Sequence, residues 1–256
     1  MTPNTNLSTM RKKPDYQIPL LFCLSLFCLS CKADGTTDDQ SHKVEKLKKE
    51  IVGEWTFRQA SARANGQITT LEFLDNSRFV VEKGDSAISD TYEVANARTI
   101  SLNNLGEVRD FEANGERAGF VLSTSEGDIT VDADKTEELK KENRTKLLSR
   151  RWRLLRVEDA VDSLGMIYKA YITFTQSGTY LQESFNNVNS VNPSTLKFKW
   201  KWDPKDENRI QYWYRGDNPG HEREFMVIRE LTETSLKIIH SNPDWSGKFS
   251  YVPEDN

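Results

Sequence analysis

The sequence predicts an all-β protein: two tandem small antiparallel β-barrels, each preceded by a short helix, behind a distinct N-terminal segment. Three observations carry this expectation. Short segments of alternating apolar and polar residues, separated by turn residues, recur at roughly 8–12-residue spacing over most of the chain. The pattern begins twice, at Ile51-Val52-Gly53-Glu54-Trp55 and again at Leu148-Ser149-Arg150-Arg151-Trp152. Finally, 256 residues with 6 Trp, 8 Tyr and 12 Phe supply enough apolar side chain for two modest cores and exclude a disordered chain.

The N-terminal segment comes first. Residues 1–17 are polar and carry Arg11, Lys12 and Lys13, and Ile18 to Ser30 then form an apolar run that ends at Cys31. A bilayer-spanning helix needs about 20 apolar residues, so this run is too short for a permanent anchor. Positive charge followed by a short apolar core and small residues is the pattern of a secretory signal. Leu29-Ser30-Cys31 resembles a bacterial lipobox, with Cys28 where that pattern usually has Leu, Val or Ile. Such loose lipoboxes are characteristic of Bacteroidota lipoproteins. The resemblance implies that residues 1–30 are a lipoprotein signal peptide and that Cys31 is the lipid attachment site. An anchor bearing a diacylglycerol and an amide-linked acyl chain exceeds the two signals, or about two, that stable membrane attachment takes. Lys32 to His42 is polar and aperiodic, so 31–47 reads as a tether and the start of a helix. Its acids, Asp34 and the pair Asp38-Asp39, resemble the surface-export signal of the same lipoproteins, which leaves an outer-membrane protein facing either the cell surface or the periplasm. All three cysteines (Cys23, Cys28, Cys31) fall in or at the end of the apolar run, so the rest of the chain holds no disulfide.

Each copy then opens with helical spacing and continues as strands. Val44, Leu47 and Ile51 fall at i, i+3 and i+7, while Glu137/Lys141 and Glu142/Lys146 fall at i, i+4 in a charged helical linker over 133–147. The first barrel is expected over 48–132 and the second over 148–256. Strands are read near 54–61, 67–74, 77–83, 88–95, 98–104, 107–112, 117–124 and 128–132 in the first copy. In the second they fall near 151–159, 167–175, 179–186, 195–203, 209–215, 221–230, 235–241 and 247–252. Leu71 to Phe79 and Ile172 to Tyr180 match as hairpins, with Gly178 and Asn76 suited to a positive φ in the turns. Lys197-Phe198-Lys199-Trp200-Lys201-Trp202 is the clearest period-two run, lysines on one face and aromatics on the other.

Gly53-Glu54-Trp55, the hairpin after it, the meander of strands and the closing Phe225 to Ile238 all resemble lipocalin-like domains of Bacteroidota lipoproteins. The resemblance covers about 48–132 and 146–252, with Arg150 in the second copy where the first has Gly53. An eight-stranded meander closes into a barrel just wide enough to be filled by side chains or to hold one small ligand. Trp55 and Trp152, on the first strand of each copy, are expected to plug one barrel end.

No catalytic constellation is present: His42, His221 and His240 lack zinc-enzyme spacing, and no nucleophile elbow, phosphate loop or dinucleotide fingerprint occurs. The expectation is therefore a non-enzyme without cofactor or metal. The net charge is −4 for the whole chain and −6 once residues 1–30, at +2, are set aside, which argues against nucleic acid as a partner. Residues 48–132 are −6 and 146–256 are +1, so the copies have diverged in surface charge. Aromatics concentrate in the second copy. Tyr171, Trp200, Trp202, Tyr212, Trp213 and Tyr214 are the candidate ligand-binding residues, since three consecutive aromatics in one strand cannot all face one core. Asp85-Ser86-Ala87 and Asp162-Ser163-Leu164 resemble the short O-glycosylation motif of exported Bacteroidota proteins, with Ser86 and Ser163 as acceptors. Together these readings give a lipid-anchored envelope protein that binds a small hydrophobic ligand or a glycan through its second barrel. The alternative is a non-catalytic module with filled barrels that serves an envelope protein partner. The first reading expects an open aromatic mouth near Trp200, Trp202 and Trp213.

Overall fold

The computed structural model describes residues 36–60, 68–84, 86–140, 143–158, 169–185, 193–214, 225–242 and 245–254. The calls on Cys31 and Ser163 lie outside them. Helix α1 (Thr36–Ile51) precedes β1 (Gly53–Ala60), β2 (Ile68–Phe73), β3 (Arg78–Lys83), β4 (Ser86–Asn96), β5 (Thr99–Leu102), β6 (Gly106–Asn114), β7 (Arg117–Thr124) and β8 (Gly127–Lys135). Helix α2 (Asn143–Leu148) leads into β9 (Arg151–Glu158), β10 (Lys169–Phe174), β11 (Thr179–Phe185), β12 (Ser194–Asp203), β13 (Asp206–Tyr214), β14 (Phe225–Leu231), β15 (Leu236–Asn242) and β16 (Trp245–Pro253). Both sets close as antiparallel eight-stranded barrels, β1 pairing with β8 and β9 with β16.

The alternation read from the sequence is what fills each interior. In the first barrel Trp55, Leu71, Phe73, Phe79 and Val81 point inward and join Ile100, Val108, Phe120 and Leu122 in one core. In the second, Trp152, Ile172, Phe174, Tyr180, Phe198, Trp200, Ile210 and Tyr212 occupy the corresponding space. The helix-side end of each barrel is closed in the same way. Trp55 is fully buried and its indole N–H donates to the Ile51 carbonyl at 2.8 Å; that of Trp152 donates to Leu148 at 3.0 Å. A cation covers each ring, Lys135 at 5.3 Å and Arg150 at 5.4 Å.

Two local expectations need correction. The first hairpin takes its positive φ at Ser77 (59°), not at Asn76, and Ser77 is the residue that aligns with Gly178 (φ 81°). Among the described residues of the linker, helix is confined to α2 (Asn143–Leu148), and 133–135 extend β8. Its backbone bonds outward instead: Thr136 N–H donates to the Glu54 carbonyl at 2.8 Å and Leu139 N–H to Gln176 at 2.6 Å. Those bonds replace the intrahelical ladder.

The barrels pack through equivalent faces. β4 lies against β12, and Val80 of the first barrel meets its counterpart Leu181, with Leu74 beside them. This is the arrangement of an isologous dimer, built here from two copies in one chain.

Candidate functional site

Two places gather chemistry: the interface between the barrels and the mouth of the second barrel. At the interface, three outward residues of β1–β3 are acids. Glu54, Glu72 and Glu82 are all buried there, and β12 answers with Lys197 and Lys199. Lys197 Nζ reaches Glu54 at 2.9 Å, Thr70 at 3.1 Å and Glu82 at 3.4 Å, and Lys199 reaches Glu54 at 2.5 Å. Burial alone would raise the Glu54 carboxyl, but the two lysines outweigh it and hold it at about 2. Lys197 is likewise held above its ordinary value: burial opposes its charge, and Glu54, Glu72 and Glu82 prevail. On the other flank Glu183 of the second barrel receives Arg78 of the first at 2.6 Å and its own Arg151 at 2.9 Å. Arg151 also pairs with Glu254. Such buried pairs add little net stability against apolar packing but fix orientation, because breaking one strands a buried charge. The unequal charge of the two copies thus has a structural use in their docking.

The second site lies at the end of the second barrel opposite Trp152. A cavity of about 270 Å³ is walled by Leu154, Ile172, Tyr180, Gln182, Leu196, His240, Phe249 and Tyr251 among others. Its polar tips bond one another. Gln182 donates to the Tyr180 hydroxyl at 2.6 Å, and the Tyr212 hydroxyl bonds His240 Nε2. Burial lowers His240 to about 4, so its ring is neutral at neutral pH, and burial raises Tyr251 well above an ordinary phenol. Glu183 also contributes to this wall, but its carboxylate is turned outward to the two arginines.

The six aromatics singled out from the sequence do not share one pocket. Tyr212 is an inner residue at the mouth, and Tyr214, 45% exposed, sits farther along the same strand and packs on Phe198 at 4.4 Å. Tyr171 is buried on the outer face of β10 with the Arg151 guanidinium 3.7 Å from its ring centre, and it also lines the mouth cavity. Trp213 also faces outward, under Lys201 at 5.5 Å. Trp200 and Trp202 point inward at the closed end, not at a mouth. Trp200 is 1% exposed and donates to the Thr175 carbonyl at 3.1 Å, while Trp202 donates to Thr145 of α2 at 2.9 Å. The parity of β12 is as the sequence implies; the direction of the strand puts its tryptophans at the helix-capped end. Ser86 is exposed at the start of β4.

Sequence reasoning passed over Tyr180, Gln182 and Tyr251, and weighed His240 only for zinc-enzyme spacing. A signal for two of them was available in the repeat: Phe79 and Val81 of the first copy align with Tyr180 and Gln182 of the second. Among the described residues no group of three or more His, Cys, Asp or Glu is placed to hold a metal ion, and no helix is long and apolar enough to cross a membrane. No family model matches the chain, and no curated protein matches it.

Proposed function

We propose that this is a lipid-anchored cell-envelope protein whose second barrel is a lipocalin-like module for one small, mainly apolar ligand with a hydrogen-bonding end. The mouth cavity of about 270 Å³ is the observation that supports it most. Its wall combines Leu154, Ile172 and Phe249 with the neutral polar tips of Tyr180, Gln182 and His240, the last bonded to the Tyr212 hydroxyl behind it. An apolar wall with a few convergent hydrogen-bonding groups is the usual composition of a small-molecule site, and the lack of formal charge on those tips favours an uncharged ligand. The anchoring part of the reading rests on the apolar run and Cys31 of the sequence. The competing reading is a non-catalytic module that presents surfaces to an envelope partner. It is supported by the packing of Trp200 into the core.

Native mass spectrometry of the full-length protein, extracted from its own host, tests the first reading. One co-purifying small molecule, released on unfolding, is the expected result. A bare protein that takes up no apolar probe favours the partner-binding module. Cys31→Ser tests the anchor separately: the variant is expected to leave the membrane fraction and to lose incorporation of a labelled acyl chain.

A further inference from the structure

The cleft beside the first hairpin turns of the two barrels holds polar atoms that neither the ion pairs nor the barrel walls use. Among the described residues, Glu72 Oε2, Asn76 Oδ1 and Ser149 Oγ are buried without a hydrogen-bond partner, and all three line one cleft of about 70 Å³. The residues come from both copies, Asn76 from the first hairpin turn of one and Ser149 from the helix–strand junction of the other. Glu72 is only 1% exposed, and its other oxygen accepts from Ser177 across the interface. A polar atom buried without a partner forfeits the hydrogen bonds it made to water, so three converging on one small space call for a shared occupant.

The three are oxygens, and each is able to accept. A primary ammonium is their complement, since it carries three N–H donors and no acceptor. We propose that this cleft binds a primary ammonium group, with Glu72 as its counter-charge and Asn76 and Ser149 accepting its other two protons. Phe73, Leu74 and Phe174 of the same cleft supply an apolar wall for the carbon attached to the nitrogen.

The surrounding charges are compatible with a cation. Asp75 and Glu138 also line the cleft. Of the two arginines there, Arg150 is held over Trp152 and bonds the Glu233 carbonyl, and Arg151 is engaged by Glu183 and Glu254. Lys197 and Lys199 face Glu54. Burial and the neighbouring Glu54 charge raise the Glu72 carboxyl, so without a cation beside it the group keeps its proton to higher pH than an ordinary carboxyl. Binding then exchanges that proton for the ammonium: the Glu72 O–H bond breaks, the proton passes to solvent, and the carboxylate pairs with the incoming cation.

Methylammonium chloride is the probe, compared at constant ionic strength with potassium and tetramethylammonium chlorides on the full-length protein. Methylammonium is expected to raise the thermal midpoint saturably and to release a proton, seen as a calorimetric heat that depends on the buffer. Tetramethylammonium, which has no donor, is expected to do neither. Glu72→Gln turns an amide N–H toward the site and should abolish both effects; circular dichroism checks that it folds. Ser149→Ala should weaken binding roughly tenfold through the loss of one hydrogen bond to a charged group. Butylammonium and acetyl-lysine amide then separate a free amine from a protein lysine as the source, the tighter binder identifying it. An equal response to potassium overturns the assignment in favour of a metal cation. No response to any salt overturns it in favour of water alone.

Discussion

Strand for strand, the two barrels keep one set of inner residues and change another. Trp55 matches Trp152, Leu71 matches Ile172 and Phe73 matches Phe174, all of them buried. On the strands beside them Phe79 is replaced by Tyr180, Val81 by Gln182 and Leu102 by Tyr212. The strands differ too. β5 has 4 residues and turns at once, which brings Leu105 onto the core of the first barrel; its counterpart β13 runs for 9 residues, out to Tyr214. One barrel is finished with apolar side chains and a tight turn. The other has hydroxyls and an amide at the equivalent positions, with the His240 imidazole bonded to one of the hydroxyls. A duplicated fold has kept the contacts that close it and varied those that face its opening.

If the closed ends are equivalent, Trp55→Ala and Trp152→Ala should each cost about 3–5 kcal/mol, measured from denaturant midpoints. A loss confined to one barrel would break the equivalence. Next in size is the interface. Lys197→Met leaves Glu54 and Glu82 without their shared cation and should cost about 3 kcal/mol. Replacing Glu54 and Glu82 with apolar residues in the same background should recover most of that loss, which a merely surface lysine would not allow.

A pH series sharpens the contrast at the mouth. His240 is held at about 4 in the fold against an ordinary value of 6.5. The unfolded imidazole takes up its proton as pH falls below 6.5, while the buried one resists until about 4. The parent should therefore lose about 2–3 kcal/mol relative to His240→Gln between those values, and nothing above them. Parallel stability curves for the two proteins would count against a buried neutral imidazole. The smallest effect is local: Ser77 takes a φ of 59°, so Ser77→Gly should gain about 1 kcal/mol in thermal or chemical unfolding.

Much of the fold was legible because alternation and turn chemistry are local. Lys197 to Trp202 announced its two faces, and the matching Trp55 and Trp152 marked the start of each repeat. The partners of the lysine face were not legible, because Lys197 meets Glu54 from 143 positions away along the chain. Glu72 is one carboxylate among many in sequence, and only the docking of the second barrel buries it. Strand parity placed Trp200 inside, yet it did not say which end of the barrel it occupies. Tyr180 and Gln182 read as ordinary strand residues until set against Phe79 and Val81.

The central claim is that the opening of the second barrel, and not of the first, holds the ligand. Ile88 and Leu196 are equivalent inner residues at the two rims, 37% and 43% exposed. A tryptophan at either rim should obstruct that mouth while leaving the cores alone. The direct measurement is the stoichiometry with which an environment-sensitive apolar dye binds the full-length protein and each variant. One site per chain in the parent and in Ile88→Trp, with none in Leu196→Trp, is the predicted result. Loss of binding in Ile88→Trp with retention in Leu196→Trp would contradict it.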